Sequence, residues 1–147
     1  MYQALPKTYR TKKSNTGRKS LITQNLNYWA KIIKIDGVCA LCGSSYKLEA
    51  HHIVKRGVYI HNGWFLTTNG IPLCWNCHYK KIHALYFPTV QDTQKQINRW
   101  LIDHRGTTYD QLYVQCKQIK IYSDVETLKM IRIGLREQLK KMKKERS

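Results

Sequence analysis

Four cysteines arranged as two C-x-x-C pairs, Cys39/Cys42 and Cys74/Cys77, carry the clearest chemical signal in this chain. Each pair sets two thiolates on one tight turn, and two such turns complete a tetrahedron of sulfur ligands around Zn²⁺. Gly43 directly after Cys42 suits the turn of a zinc knuckle. The 31 residues between Cys42 and Cys74 exceed the roughly 15–20 of a compact zinc ribbon, so the knuckles must hold something between them. Four free buried thiols or a redox pair are the competing uses, although a redox C-x-x-C belongs in a βαβ context. A zinc held by four cysteines is coordinatively closed, with no position for water or substrate. Any chemistry has to come from other side chains.

Histidines supply it. His51-His52-Ile53 lies between the cysteine pairs and His78 follows Cys77, so three of the six histidines flank the expected metal knot. On a strand, adjacent side chains point to opposite faces. One of His51 and His52 can then bind a metal while the other acts as a base, and an imidazole of pKa about 6.5 suits proton transfer near neutrality. Two partly buried polar residues on a hairpin is the plainer alternative.

The order Cys39-x-x-Cys42, Glu49-Ala50-His51-His52-Ile53, Asn69-Gly70-Ile71-Pro72-Leu73-Cys74-x-x-Cys77-His78 resembles the zinc-bearing branch of the HNH endonucleases over residues 39–83. His52-Ile53-Val54-Lys55-Arg56 and the helical tail are similar to the NinG/Rap-type phage recombination nucleases. The first resemblance implies a ββα-metal core: a two-stranded hairpin, then a helix, with one divalent ion in the crevice. It makes His52 the general base and puts His51 in the metal-ligand slot before it. Asn69 becomes the central asparagine that ties the loop and orients the base, and His78 the ligand opening the helix. The ion would be Mg²⁺ or Mn²⁺, and imidazole ligands also admit Ni²⁺ or Co²⁺.

In relatives with a third histidine ligand, that residue lies four positions after the first. His83 is five after His78, turned about 140° away on an ideal helix, so its ligation needs a helix end or bulge. A phosphate-facing or solvated histidine is the alternative. Arg56, Lys55, Lys80 and Lys81 surround this region as expected phosphate contacts, Arg56 foremost because the NinG-like resemblance places an arginine there.

These residues need elements to position them. Residues 1–19 carry Lys7, Arg10, Lys12, Lys13, Arg18 and Lys19 without an acid, which predicts a mobile basic arm or a solvated tail. Leu21, Ile22, Leu26, Trp29, Ile32 and Ile33 recur at helical spacing up to Gly37. Residues 48–73 mix β-branched and aromatic residues with Gly57, Asn62-Gly63 and Asn69-Gly70, predicting strands and loops, and a short helix is expected near Cys77. Trp64 and Phe65 are expected to pack the hairpin, and Cys116 to be a small buried apolar residue.

The C-terminal third is helical in pattern. Thr89 with Asp92 opens one helix that runs to Gly106, and Thr108 caps a second. Ser123-Asp124-Val125-Glu126 reads as a capping box for a third, whose stripe of Leu128, Ile131, Leu135, Leu139 and Met142 packs on the body or forms a dimer seam. The expected fold is α+β: an arm over 1–19, a nuclease domain over 20–88 and a helical extension over 89–147.

Charge points to the partner. Lys and Arg total 26 against nine acids, a formal +17, and so basic a surface repels itself unless it meets a polyanion. No apolar run is long enough to span a bilayer and the N-terminus lacks the apolar core of a secretory signal. DNA in an intracellular, cytoplasmic setting is therefore expected, and the phage resemblance implies a nucleoid-associated or phage-encoded protein in a bacterial host. The leading expectation is a DNA endonuclease, with branched or recombination-intermediate DNA suggested by the NinG-like tail. The rivals are a non-catalytic zinc-stabilised nucleic-acid-binding protein, an inactive relative serving assembly, and a ribosome-associated basic protein.

Overall fold

The computed structural model describes residues 8–54, 63–82, 87–118 and 124–147. Within them the elements are helix α1 (Thr8–Ile33), strand β1 (Leu48–His52), a short 3-10 turn (Thr67–Asn69), strand β2 (Gly70–Cys74), a wide π-type turn (Cys77–Ile82) and helices α2 (Phe87–Arg105), α3 (Tyr109–Gln118) and α4 (Val125–Arg146). This is a small α+β arrangement with one two-stranded sheet. Among the described residues no helix is long and apolar enough to cross a membrane.

The apolar stripe expected on α1 is the buried one: Leu21, Trp29, Ile32 and Ile33 lie in the core. The helix itself starts at Thr8, inside the segment expected as an arm. Apolar periodicity marks only the part of a helix that packs, and Lys and Arg sustain helix well without it. After Ile33 the chain turns, and Gly37 takes a left-handed φ of 72° that leads into the first cysteine pair.

Strands β1 and β2 pair antiparallel, with Leu48 opposite Cys74, His51 opposite Ile71 and His52 opposite Gly70. Ile71 and Leu73, alternate residues of β2, are fully buried in a core with Ile53, Val54, Ile97, Leu101, Leu112 and Cys116. The helical extension therefore shares its core with the hairpin. The opposite face of the hairpin meets α1. At Gly70 a Cβ would stand 2.2 Å from Ile33 Cδ1 and 2.8 Å from Trp29 Cζ2, so only glycine allows this approach.

Helix α4 packs on α1 through Leu128, Leu135 and Leu139. The stripe left open between body and dimer seam is spent on the body. Buried Asn25 donates from Nδ2 to the Leu128 carbonyl at 3.0 Å, Arg132 donates to Gln24 Oε1 at 3.0 Å, and Arg146 pairs with Asp36. Residues 24 and 25 meet 128 and 132 near the start of α4, and Asp36, just past α1, meets Arg146 at the end of α4, so the two helices run in the same direction.

The caps differ in detail from the sequence patterns. Asp124, whose side chain accepts from the Thr127 N–H at 2.8 Å, caps α4, and Ser123 of the expected box lies outside the described residues. Thr108 caps α3 as expected, accepting from the Gln111 N–H at 3.2 Å. Helix α2 begins at Phe87, ahead of Thr89, with Pro88 in a first turn where its missing N–H is not needed.

Candidate active site and metal centre

The cysteines come from two turns that the hairpin brings together. Cys39 and Cys42 lie on the loop after α1, where the Gly43 N–H donates to the Cys39 carbonyl at 2.9 Å and φ at Gly43 is 75°. Cys74 ends β2, and Cys77 opens the wide turn. The Ala40 N–H donates to the Pro72 carbonyl at 2.9 Å and so ties the first turn to β2. All four Sγ atoms lie within 4.8 Å of one another, and Cys42 and Cys74 are 3.5 Å apart. All five cysteines are free, and Cys42 alone of the four is exposed.

This cluster could hold a zinc ion. Tetrahedral thiolates at about 2.3 Å from Zn²⁺ require sulfurs at close to the spacing seen. Metal-free electrostatics agree. Burial works against ionising Cys39, yet backbone N–H groups around it bring its thiol down to about 7. Burial and the neighbouring sulfurs push Cys77 well up. Without a cation the knot accommodates the Cys39 thiolate and resists one at Cys77. Among the described residues no other group of three or more Cys, His, Asp or Glu ligand atoms gathers as closely.

Strand alternation sorts the histidines as expected. Glu49 and His51, two apart on β1, turn to the face that meets the wide turn. There His51 Nδ1 lies 3.0 Å from His78 Nε2, and His78 Nδ1 lies 2.5 Å from Glu49 Oε2. A carboxylate only accepts, so His78 carries its proton on Nδ1 and directs the Nε2 lone pair toward His51. The result is a run of carboxylate, imidazole and imidazole, with two ring nitrogens facing each other. They can share one proton, or both can face a cation.

His52 lies on the other face, with Ala50 and α1. Its ring is stacked on Trp29, centroids 3.9 Å apart and planes 7° from parallel. Its Nε2 is 2.9 Å from the Trp64 carbonyl. A carbonyl accepts only, so Nε2 bears the proton and Nδ1 the lone pair. Trp29 is fixed in turn by donating from Nε1 to the Leu66 carbonyl at 3.0 Å.

Asn69 is buried and holds the loop between the strands. Its Oδ1 accepts from the Val54 N–H at 2.8 Å, and Nδ2 donates to the carbonyls of Val54 and Gly63 at 3.3 and 3.1 Å. Its backbone carbonyl also accepts from the Ile53 N–H at 3.0 Å. One side chain therefore clamps the residues after His52 to the segment carrying Trp64. Helix α3 presses on the same point, since a Cβ at Gly63 would meet Cys116 Sγ at 2.6 Å.

The structure thus brings His51 and His78 together and sets His52 and Asn69 on the adjoining loop side. Lys80 is exposed on the wide turn. Lys55, Arg56 and His83 lie outside the described residues, as does the side chain of Lys81. Sequence reasoning misses two residues. Glu49 stands in the motif without a role, although its period-two relation to His51 puts both on one face. Trp29 reads as packing alone, and no sequence signal ties it to His52. Compared with family models, with curated proteins and with solved structures, the chain finds no match.

Proposed function

We propose that this chain is a metal-dependent endonuclease that hydrolyses DNA phosphodiester bonds, in the manner of the HNH enzymes its cysteine–histidine pattern resembles. The observation that carries the reading is the facing pair His51 Nδ1 and His78 Nε2 at 3.0 Å, with Glu49 on the far nitrogen of His78. Neighbouring ligands about 2.1 Å from one octahedral cation stand roughly 3 Å apart, so the donor set and spacing fit a divalent ion. A carboxylate on a ligating imidazole's other nitrogen is the usual support of such a site. Mg²⁺ or Mn²⁺ bound there, or Ni²⁺ or Co²⁺, would offset charge gathering on the scissile phosphate and the leaving 3′ oxygen.

The chain's own residues supply the remaining steps. His52, protonated on Nε2 by its bond to the Trp64 carbonyl, takes a proton on Nδ1 from the attacking water. The water oxygen bonds to phosphorus as the bond to the 3′ oxygen breaks, and that oxygen takes a proton from solvent. Asn69 keeps the carbonyl partner of His52 in place through Gly63, the residue before Trp64. His51 and His52 are adjacent at the end of β1, so the phosphate would lie across the strand end. Lys80, Lys81, Lys55 and Arg56 would contact flanking phosphates, in line with the +17 charge. The zinc knot stabilises this arrangement and takes no part in the reaction.

One observation favours a second reading. His52 is stacked and hydrogen-bonded as a packing residue would be, on the face opposite His51. The chain would then be a zinc-stabilised DNA-binding module without catalysis. Cleavage of duplex, single-stranded, nicked, flap and four-way-junction DNA, titrated with Mn²⁺, separates the two. His52→Ala should lose about 10²–10⁴-fold in rate at every Mn²⁺ level. His51→Ala and His78→Ala should recover in part as Mn²⁺ rises. Cleavage by His52→Ala at the parental rate would leave the binding module as the reading.

A further inference from the structure

Two large aromatic residues stand at the surface after β2: Trp75 at 44 % exposure, just before the wide turn, and Tyr79 on it at 47 %. Trp75 lies between Cys74 and Cys77, so its backbone belongs to the second cysteine turn. The rings touch in succession: Trp75 to Tyr79 at 5.3 Å with planes tilted by 40°, Tyr79 to His78 at 4.8 Å and His78 to His51 at 4.9 Å between centroids. These contacts connect the exposed rings to the facing imidazoles. Lys80 stands exposed beside Tyr79.

Trp75 and Tyr79 together leave aromatic surface open to solvent, and covering it would recover hydrophobic free energy. The chain's +17 charge selects a polyanion over an ordinary protein surface. Aromatic rings flanked by lysine are the means by which proteins hold single-stranded nucleic acid: the ring stacks on a base and the cation meets the backbone. Paired bases inside a duplex have both faces covered by their neighbours. A duplex leaves open only the outer faces of its two end pairs, whereas every base of an unpaired strand offers a face to Trp75.

We infer that Trp75 and Tyr79 form a stacking platform for an unpaired base of a DNA strand, setting the adjoining phosphate toward His78 and His51. The inference rests on the DNA reading above and narrows its substrate to DNA with an unpaired base beside the cleaved bond, such as a flap or a single-stranded end.

The test is binding by the zinc-loaded full chain without added divalent ions. The probes are a thymine oligonucleotide, a duplex with a thymine flap, a blunt duplex and the matching RNA oligomer. A base stack contributes to affinity strongly enough that Trp75→Ala should weaken oligonucleotide and flap binding about 5- to 150-fold. It should leave blunt-duplex binding within about twofold, since phosphate contacts govern that arm. Trp75→Phe, which keeps a ring, should retain most of the affinity. Zinc content equal to the parent's excludes a collapsed knuckle as the cause. Unchanged oligonucleotide binding by Trp75→Ala, an equal loss on blunt duplex, or tighter binding of RNA than of DNA would each overturn the proposal. The readout needs no cleavage, so failure of the platform and failure of the nuclease reading are separable.

Discussion

The indole of Trp29 lies flat against the imidazole of His52, centroids 3.9 Å apart, and is itself anchored by its Nε1–H on the Leu66 carbonyl. A helix outside the hairpin therefore sets the ring plane of the residue proposed as the base. Trp29→Phe keeps an aromatic face and loses the anchor, leaving a carbonyl without its donor. It should cost about 1–2 kcal/mol in denaturant unfolding and reduce cleavage by less than about tenfold. Trp29→Ala removes both, and should cost about 3–5 kcal/mol with a larger loss of cleavage per folded molecule. Rates are compared at a temperature where unfolding curves show both variants folded. Parental cleavage by folded Trp29→Ala would reduce Trp29 to a packing residue.

Glu49 acts through His78. Its carboxylate accepts from Nδ1, which holds the tautomer that presents Nε2 to His51. Glu49→Ala should weaken Mn²⁺ binding, followed by calorimetry, by about 10–100-fold. Glu49→Gln, whose amide oxygen can still accept, should lose less. Zinc content should not change in either, because the four thiols are a separate site. Equal Mn²⁺ affinity in parent and Glu49→Ala would remove Glu49 from the site.

The thiols predict a proton balance for zinc. Burial and its sulfur neighbours keep Cys77 protonated in the metal-free chain, whereas Cys39 ionises near 7. Zinc takes thiolates, so its uptake must expel protons and its affinity must rise with pH. Below about 7 Cys39 has a proton to lose as well, and the plot of log affinity against pH should steepen there. The same depression means that Cys39 lends the metal-free fold stability at alkaline pH, lost as pH falls through about 7. Proton release on titrating metal-free protein with Zn²⁺ in weak buffer checks this. Soluble, folded protein that never carries zinc would refute the four-cysteine site.

Much of the local geometry was legible because it follows from short-range rules. Two C-x-x-C turns announce converging thiols, and period-two alternation separates His51 from His52. Helical spacing of Trp29, Ile32 and Ile33 marks the buried stripe of α1. What escaped reading depends on contacts between segments far apart in sequence. Nothing in the spacing brings Trp29 onto His52 or Cys116 onto the Asn69 clamp, because hydrophobic packing is non-directional and names no partner. The start of α1 escapes for the opposite reason. A polar stretch of helix leaves no periodic trace, and charged residues serve arm and helix alike.

The clamp around Asn69 allows a test of how α3 supports the loop. Gly63 holds a left-handed φ of 78°, and a Cβ there would stand 2.6 Å from Cys116 Sγ and 3.2 Å from Asn69 Nδ2. Gly63→Ala therefore carries two penalties. The left-handed backbone costs a β-carbon-bearing residue about 1–2 kcal/mol, and the clash with sulfur adds about 1–3 kcal/mol of overpacking. Cys116→Ala, which empties a fully buried site, should by itself cost about 1–2 kcal/mol. Together the two changes should be less damaging than their sum, because removing the sulfur opens the space that the new methyl group needs while the backbone penalty stays. The double-mutant cycle should thus give a favourable coupling of about 1–2 kcal/mol, read from unfolding midpoints with an unchanged denaturant slope. Strict additivity would mean that α3 does not bear on Gly63, and its support of the Asn69 clamp would fall with it.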